Sequence, residues 1–478
     1  MRFLSWLVGS VLIAASLVGC TPSLDEEQAA QEPERYESQV GLQLFMWPWE
    51  SIAAECEFLG AAGVDWVLIS PPQEHITGAA WWTVYQPVSY KIESRLGNRE
   101  QFAAMVSTCA EHDVDIIADA VINHMTAQAS GTGYAGTEFT KYEYEGLYSR
   151  DDFHNCNLTP DDSISSYKDL AQVQTCELLG LSDLNQKLDN VQTQILTYLG
   201  DLLSLGVAGF RIDAAKHMAA SDLKVIVDQL PEGTRVIHEV IRGGGEPVQP
   251  EQYLNSGEVW EFDYARNMRS YFKGEVITPA ASAIRFRDFT PSNQTISFVS
   301  NHDTERNGET LNYNDARYFE LATAMMLAED YGQPMLYSSY AFRSRDAGPY
   351  ETVKGVGPID CSETSAPKDE YKADEWICQH RWQSTLNMIS FRDKVGDAPV
   401  VEKYRERGVY GFARDGVGYF ITNVFDTQEM TVSVATTLPD GEYVNLIDGE
   451  THTISDGKLS ATMPAMSAIA LLVTDQAD

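Results

Sequence analysis

Eight short apolar runs, most of them followed by a stretch with helical period, organise most of this chain. The runs are VGLQLFMW from Val40, VDWVLIS from Val64, VDIIADAVI from Val114, LGVAGFRI from Leu205, RVIHEVI from Arg235, EVWEFDYA from Glu258, TISFVSN from Thr295 and QPMLYSSY from Gln333. Near-continuous apolar runs of this length are the signature of strands covered on both faces, as in a parallel sheet. Between them lie amphipathic stretches such as SIAAECEFLGAAG from Ser51, REQFAAMVSTCAEHD from Arg99, DNVQTQILTYLGDLLSLG from Asp189 and ARYFELATAMMLAEDYG from Ala316, with WQSTLNMISFRDKVG from Trp382 as a closing helix. Eight such strands alternating with helices predict a (β/α)8 barrel.

The pattern breaks in two places. Between His124 and about Leu181 it gives way to Gly, Thr, Tyr and Asp with weak periodicity. An excursion that long after the third strand reads as an inserted domain, not a plain loop. From about Ala398 the runs GVYGFAR, GYFITNVF, MTVSVATTL, EYVNLI, THTIS and SAIALLV are short and alternating. Asp-Gly pairs at Asp415, Asp440, Asp448 and Asp456 punctuate them as turns, which predicts a small antiparallel β-sandwich. The expected organisation is therefore an α/β chain. A (β/α)8 TIM barrel spans 40–123 and 182–396, an inserted domain 124–181, and a C-terminal antiparallel β-sandwich 397–478.

The first residues read as an address. Arg2 precedes FLSWLVGSVLIAASLV, which ends in LVGC, Leu17 to Cys20. That predicts a lipoprotein signal over residues 1–19 with Cys20 lipidated; an ordinary secretory signal with a chance cysteine is the alternative. Residues 20–39 are acidic and poor in aliphatics, an expected tether. The protein is expected to be exported, either lipid-anchored at the cell surface or outer membrane, or extracellular. A membrane would be met only through the lipid on Cys20. Thr21 is not the aspartate that favours inner-membrane retention, so the outer membrane is the expected anchor.

Charge narrows the partners. Seventy Asp and Glu against 34 Lys and Arg give a formal charge of -36, which argues against nucleic acid. The acidic residues are scattered, as on a solvated surface. Setting aside Cys20, six of the seven cysteines remain, an even number suited to an oxidising compartment, with 15 possible connectivities. No CxxC or Cys/His spacing exists, so zinc is not expected.

Chemistry enters at the strand ends. Four polar blocks each follow an apolar run: DAVINH (Asp119 to His124), GFRIDAAKH (Gly209 to His217), IHEVI (Ile237 to Ile241) and FVSNHD (Phe298 to Asp303). A barrel gathers its chemistry at the C-terminal ends of its strands. Asp213, Glu239 and Asp303 are thus predicted to converge from three strands on one bond. A glycoside hydrolase needs such carboxylates.

These blocks, in this order, resemble the four signature regions of the α-amylase family of glycoside hydrolases, and the match covers essentially all of the mature chain. SPPQEH from Ser70 and WWTVYQPVSY from Trp81 are similar to the animal and bacterial subgroup that includes chloride-activated enzymes. NHDTERNGETLNY resembles the actinobacterial members. The resemblance implies Asp213 as nucleophile, Glu239 as acid/base and Asp303 as a third carboxylate that stabilises the transition state. Arg211, two residues before Asp213 and on the same side of the strand, is expected to keep it ionised. Sugar contacts are implied for His124 and His302. Tyr85 is expected to stack on the sugar, Trp81 and Trp82 to form a platform on the non-reducing side, and Gln86 to bond a hydroxyl. Lys216 and His217 match positions on the reducing side.

The family's calcium site maps to Asn123, Asp183 and the carbonyls of Gln174 and His217, an all-oxygen set suited to a hard cation. The implied disulfides are Cys56–Cys109, Cys156–Cys176 and Cys361–Cys378. For chloride, Arg211 and Asn301 match two ligands, but the basic third falls on Met335. Weak or absent chloride dependence follows, unless a rival alignment makes Arg343 the ligand. The family's glycine-rich loop is replaced by the shorter ERNGETLNY. The implied activity is endo-hydrolysis of internal α-1,4 links of starch, glycogen or maltooligosaccharides by a monomer. Transglycosylation and exo-acting maltooligosaccharide formation remain open within the family. A non-catalytic starch-binding surface lipoprotein would require a lost carboxylate, and all three are present.

Overall fold

The computed structural model describes residues 39–274, 289–352 and 355–473. The signal segment, Cys20 and nearly all of the acidic tether lie outside the described residues. Eight parallel strands form the centre: β1 (Gly41–Leu44), β2 (Trp66–Ile69), β3 (Asp115–Ala120), β4 (Gly209–Ile212), β5 (Arg235–His238), β6 (Glu258–Trp260), β7 (Thr295–Phe298) and β8 (Gln333–Tyr340). Each pairs with the next, and β1 also pairs with β8, Gly41 opposite Met335, so the ring closes. A short strand, Trp376–Ile377, adds antiparallel to the rim of β8.

The period-two geometry of the strands decides what faces the axis. Following the pairing around the ring carries Met335 to Gly41, Gly41 to Trp66, Ile117 to Gly209 and Arg211 to Ile237. These positions therefore share the inner face. Trp66, Leu68, Ile117, Ile237, Trp260 and Phe298 fill it as one cluster. Gly41 is glycine because the Trp66 ring occupies the axis; a Cβ there would lie 2.0 Å from that ring. The alternate positions, Val67, Ile69, Phe210 and Ile212 among them, belong to the larger core that packs on the surrounding helices.

The helices are α1 (Trp49–Ala62), α2 (Arg99–Ala110), α3 (Leu170–Thr175), α4 (Asp189–Ser204), α5 (Ala220–Val227), α6 (Phe262–Phe272), α7 (Thr304–Asn307), α8 (Arg317–Ala328) and α9 (Gln383–Val395). α2 starts at a reciprocal cap between Asn98 and Gln101, which satisfies two otherwise orphaned N–H groups. The sixth apolar run divides, contrary to the sequence reading. Only Glu258–Trp260 is strand, and FDYA opens α6 with Glu261 capping the Asp263 N–H at 3.1 Å. Phe262, Ala265 and Met268 are buried at helical spacing, a period that an eight-residue apolar run conceals.

The insertion leaves the barrel after β3 through a narrow neck. His124–Met125 pairs antiparallel with Ser182–Asp183. Beyond the neck lie a three-stranded antiparallel sheet, α3 and the disulfide Cys156–Cys176. The other two disulfides are also the expected ones: Cys56–Cys109, which ties α1 to α2, and Cys361–Cys378. The C-terminal region forms two four-stranded antiparallel sheets from β9 (Val400–Glu406), β10 (Val409–Arg414), β11 (Gly418–Asn423), β12 (Met430–Ala435), β13 (Gly441–Val444), β14 (Thr451–Ser455), β15 (Lys458–Met463) and β16 (Ser467–Leu472). The apolar pattern missed β9 and β15, because their side chains are mostly exposed, charged or small. Asp440-Gly441 is also not the hairpin turn it resembles. Gly441 begins β13, and the Asp440 carboxylate accepts the N–H groups of Asp456 and Gly457, both at 2.9 Å.

Candidate active site

Asp213 and Glu239 each sit one residue past the end of their strand. The ladder continues through both, Asp213 N–H donating to the Ala120 carbonyl at 3.0 Å and Glu239 N–H to the Ile212 carbonyl at 3.1 Å. Both side chains therefore rise from the inner face at the C-terminal mouth of the barrel, as the sequence predicted. Arg211 lies beneath them. Its Nη1 donates to Asp119 Oδ1 at 2.6 Å and Asp213 Oδ1 at 2.8 Å, and its Nη2 is 2.9 Å from Glu239 Oε1. The other Glu239 oxygen accepts the Ala214 N–H at 2.8 Å. Burial pushes the Asp213 carboxyl up, against the pull of Arg211. Glu239 is raised to about 7 chiefly by burial; Arg211 opposes the rise, and the nearby Asp213 and Asp303 charges add to it. Asp119, which opens the first of the four blocks, is fully buried and joins Tyr85, whose hydroxyl donates to it at 2.9 Å, to the guanidinium.

Asp303 arrives from beyond β7, with its N–H bonded to Asn301 Oδ1 at 3.1 Å. Beside it His302 is clamped in a stack, 4.9 Å from the Phe45 ring and 5.0 Å from Tyr85. Gln43 Nε2 donates to His302 Nδ1 at 3.0 Å, leaving Nε2 toward Asp303 Oδ2 at 3.6 Å. Burial holds His302 neutral, well below the usual histidine range.

These groups open on a cleft of about 940 Å³. Trp81, Trp82, Tyr85 and Gln86 line it, with Trp81 and Tyr85 packed on His302 beside Asp303; Trp81 is fixed by its indole N–H donating to the Arg345 carbonyl at 2.9 Å. Lys216 and His217 also line it, with three groups the sequence reading missed: Tyr167 and Glu246, which stand at Lys216, and Leu179. Lys216 Nζ donates to the Ile241 carbonyl at 2.7 Å and to Glu246, so its charge is partly committed within the protein. His217 Nδ1 donates to the Val173 carbonyl at 2.9 Å. Leu179 is 86% exposed and holds a left-handed backbone at φ 53°, strained for a leucine. Arg211 is wholly buried behind the carboxylates. His124 lines the cleft, but its Nε2 donates to the Tyr85 carbonyl at 3.0 Å and its Nδ1 meets Asn123 Nδ2 at 3.2 Å.

The sequence matches the family description "Alpha amylase, catalytic domain" over residues 49–290 and "Bacterial Alpha amylase C-terminal domain" over 408–466. It is 41% identical over 469 residues to an α-amylase of Streptomyces violaceus, covering 97% of this chain and 79% of that one. The chain belongs to the α-amylase family. An α-amylase of Thermomonospora curvata is 38% identical over 508 residues, covering 99% of this chain and 79% of its own. A mutant of α-amylase I from Eisenia fetida, solved as a complex with maltohexaose, superposes with a TM-score of 0.84 at 31% identity, covering 91% of this chain and 97% of that one. The barrel carries the catalytic domain of a glycoside hydrolase, and the enzyme is related to α-amylases over nearly its whole length.

The family generally binds calcium, and the residues present fit such a cation. Asn123 Nδ2 meets His124, which leaves Asn123 Oδ1 buried with no hydrogen-bond partner. Asp183, in the neck strand paired with His124, is buried, raised to about 7 by that burial, and accepts from His154 Nδ1 at 2.7 Å. An orphaned amide oxygen next to a buried carboxylate is a hard-cation donor set. Helix α3, which carries Gln174, packs on the turn Ala215–His217. Chloride fits poorly. Met335 lies inside the barrel among Trp260 and Phe298, whereas Arg343 is exposed and pairs with Asp374 at 2.9 Å.

Proposed function

We propose that this enzyme is a retaining, endo-acting α-amylase that hydrolyses internal α-1,4 bonds of starch and glycogen. The observation that carries this reading is the pair Asp213 and Glu239 bracketing one buried guanidinium, with a cleft lined by Trp81, Trp82, Tyr85 and Tyr167 open above them. A retaining glycosidase needs its two carboxyls about 5–5.5 Å apart, and two carboxylates on the same guanidinium fit that spacing. Asp213, held by Arg211, attacks the anomeric carbon and forms the glycosyl-enzyme. Glu239, protonated near neutrality, gives its proton to the leaving oxygen on the Lys216 side, then takes one from water in the second step. Asp303 accepts sugar hydroxyls and faces the positive charge that develops on the ring. Asn123, Asp183 and the carbonyls of Gln174 and His217 would hold calcium, which would fix the insertion against the barrel mouth. Met335 supports activity without chloride. The apolar segment before Cys20 supports export with a lipid anchor.

A second reading, transfer to a sugar acceptor instead of water, is favoured by one observation: the exposed Leu179, and Tyr167 with its ring 5.2 Å from Lys216 Nζ, add apolar lining to the cleft. The product profile on soluble amylose, parent beside Glu239→Gln, decides between them. Rapid loss of iodine colour with short maltooligosaccharides is expected, reduced about 10²–10⁴-fold in the variant. Lengthened or rearranged chains would establish transfer, a single small product with slow colour loss exo action, and no product at all a binding protein.

A further inference from the structure

Beside Asp303 stands a group with no part in the steps above. Arg306, in the one-turn helix α7, lines the cleft yet is only 9% exposed. Its guanidinium carbon lies 4.0 Å from the Phe342 ring centre, 5.2 Å from Tyr340, 5.5 Å from Trp81 and 5.7 Å from Phe45. None of its three nitrogens has a hydrogen-bond partner of good geometry; its close ion partner is Glu305 Oε1 at 3.1 Å. A buried cation without hydrogen bonds is costly, so π faces and neighbouring carboxylates must hold it there.

We infer that Arg306 is a positioning residue for the proposed hydrolysis: caged by these rings, it helps fix the Trp81 wall and supplies, besides Arg211, a second buried positive charge near Asp303. The inference rests on the reading of Asp303 as the third carboxylate. Two lines of geometry support it. First, the cage is continuous with the cleft floor. Phe45 stacks on His302, and Trp81 stands edge-on to Phe45, Tyr85 and His302 at 5.8, 5.8 and 5.7 Å. Removing the guanidinium removes one of the contacts that hold the Trp81 ring. Second, the other cations near Asp303 are shared or exposed. Arg211 is divided among Asp119, Asp213 and Glu239, and Arg345 is exposed, where water screens it.

The groups facing Asp303 are Arg211, Arg306, Arg345, Glu239, Asp213, Glu305, His302 and the Tyr85 hydroxyl. Burial pushes the Asp303 carboxyl up, and Arg211 and then Arg306 oppose it. Glu305 competes little for Arg306 below neutrality. It accepts from Tyr337 and Ser339 at 2.6 and 3.0 Å, and burial raises it to about 7.

The test is the pH profile of kcat/KM on a soluble maltooligosaccharide for the parent, Arg306→Met and Arg306→Lys, with a thermal melt of each. Methionine suits a cage of rings but carries no charge. Its acidic limb should move to higher pH by about half a unit or more while the basic limb, set by Glu239, stays. Lysine keeps the charge without the planar face; its acidic limb should stay with the parent's while KM rises severalfold. Arg306→Met with the parent's profile, or Arg306→Lys shifted as far as Arg306→Met, would show packing alone. If Arg306→Met does not fold, Arg306→Lys decides: a moved limb or an unchanged KM sinks the inference. A parent without activity on the glucan overturns the functional reading itself and this role with it. An active parent with unmoved limbs overturns only the role of Arg306.

Discussion

A single carboxyl, that of Glu239, ties pH to both rate and stability. Its value of about 7 against an ordinary 4.5 means it must still hold a proton to act as acid, so activity should fall as pH rises through about 7. The same shift bears on folding. Between 4.5 and 7 the native state binds the proton more tightly than the unfolded chain, so stability declines as pH rises across that window and the whole cost is present above it. The Glu239→Gln variant is therefore expected to melt above the parent at pH 8, by on the order of 3 kcal/mol at most, with the gap gone at pH 4. Melts at the two pH values check this; an equal gap at both would mean the carboxyl is not perturbed by burial. The residues legible in the sequence were those in ordered blocks, four of them at strand ends and one, WWTVYQPVSY, in the segment after β2. Arg306 and Leu179 were not, because one is an ordinary cation until four rings surround it and the other an ordinary leucine until its turn presents it to the cleft. Arg211 was legible as a residue but not in its reach, since nothing in the string shows that one guanidinium serves three carboxylates.

Elements were read most accurately where burial was symmetrical. All eight barrel strands came from continuous apolar runs, and helices α1, α2, α4, α8 and α9 from their period. The pattern failed for β9 and β15, whose stability comes from pairing with β10 and β12 more than from their own side chains. It also ran strand β6 into helix α6, where both elements are apolar. The inserted domain was legible only as a gap in period; its neck, one two-residue ladder, carries no pattern of its own. That neck bears on the metal. With Asn123 and Asp183 on its two sides, removing a bound cation would leave a buried carboxylate and an orphaned amide oxygen at the junction. EDTA is expected to lower the melting temperature of the full enzyme by several degrees, with recovery on adding calcium but not magnesium, which tolerates such flexible oxygen sets poorly. A melt that chelation leaves in place would remove calcium from the account.

At the scale of the whole molecule the dominant quantity is a charge of -36. Such self-repulsion is relieved by any electrolyte, whereas a dedicated halide site would respond to chloride alone. Exchanging chloride for acetate at constant ionic strength should leave activity within about twofold, and raising either salt should lift the melting temperature alike; a collapse restored only by chloride would show that Arg211 and Asn301 suffice for the anion. The closed ring has a further consequence, one of timing. Because Gly41–Leu44 pairs with Met335–Ser338, the first strand made is hydrogen-bonded on one side only until the last has been synthesised. Throughout translation the growing chain carries an open apolar edge, the kind that recruits other chains. The barrel cannot close before the ribosome has passed residue 340, so under the proposed export, passage of the chain unfolded with closure afterwards is the safer order of events.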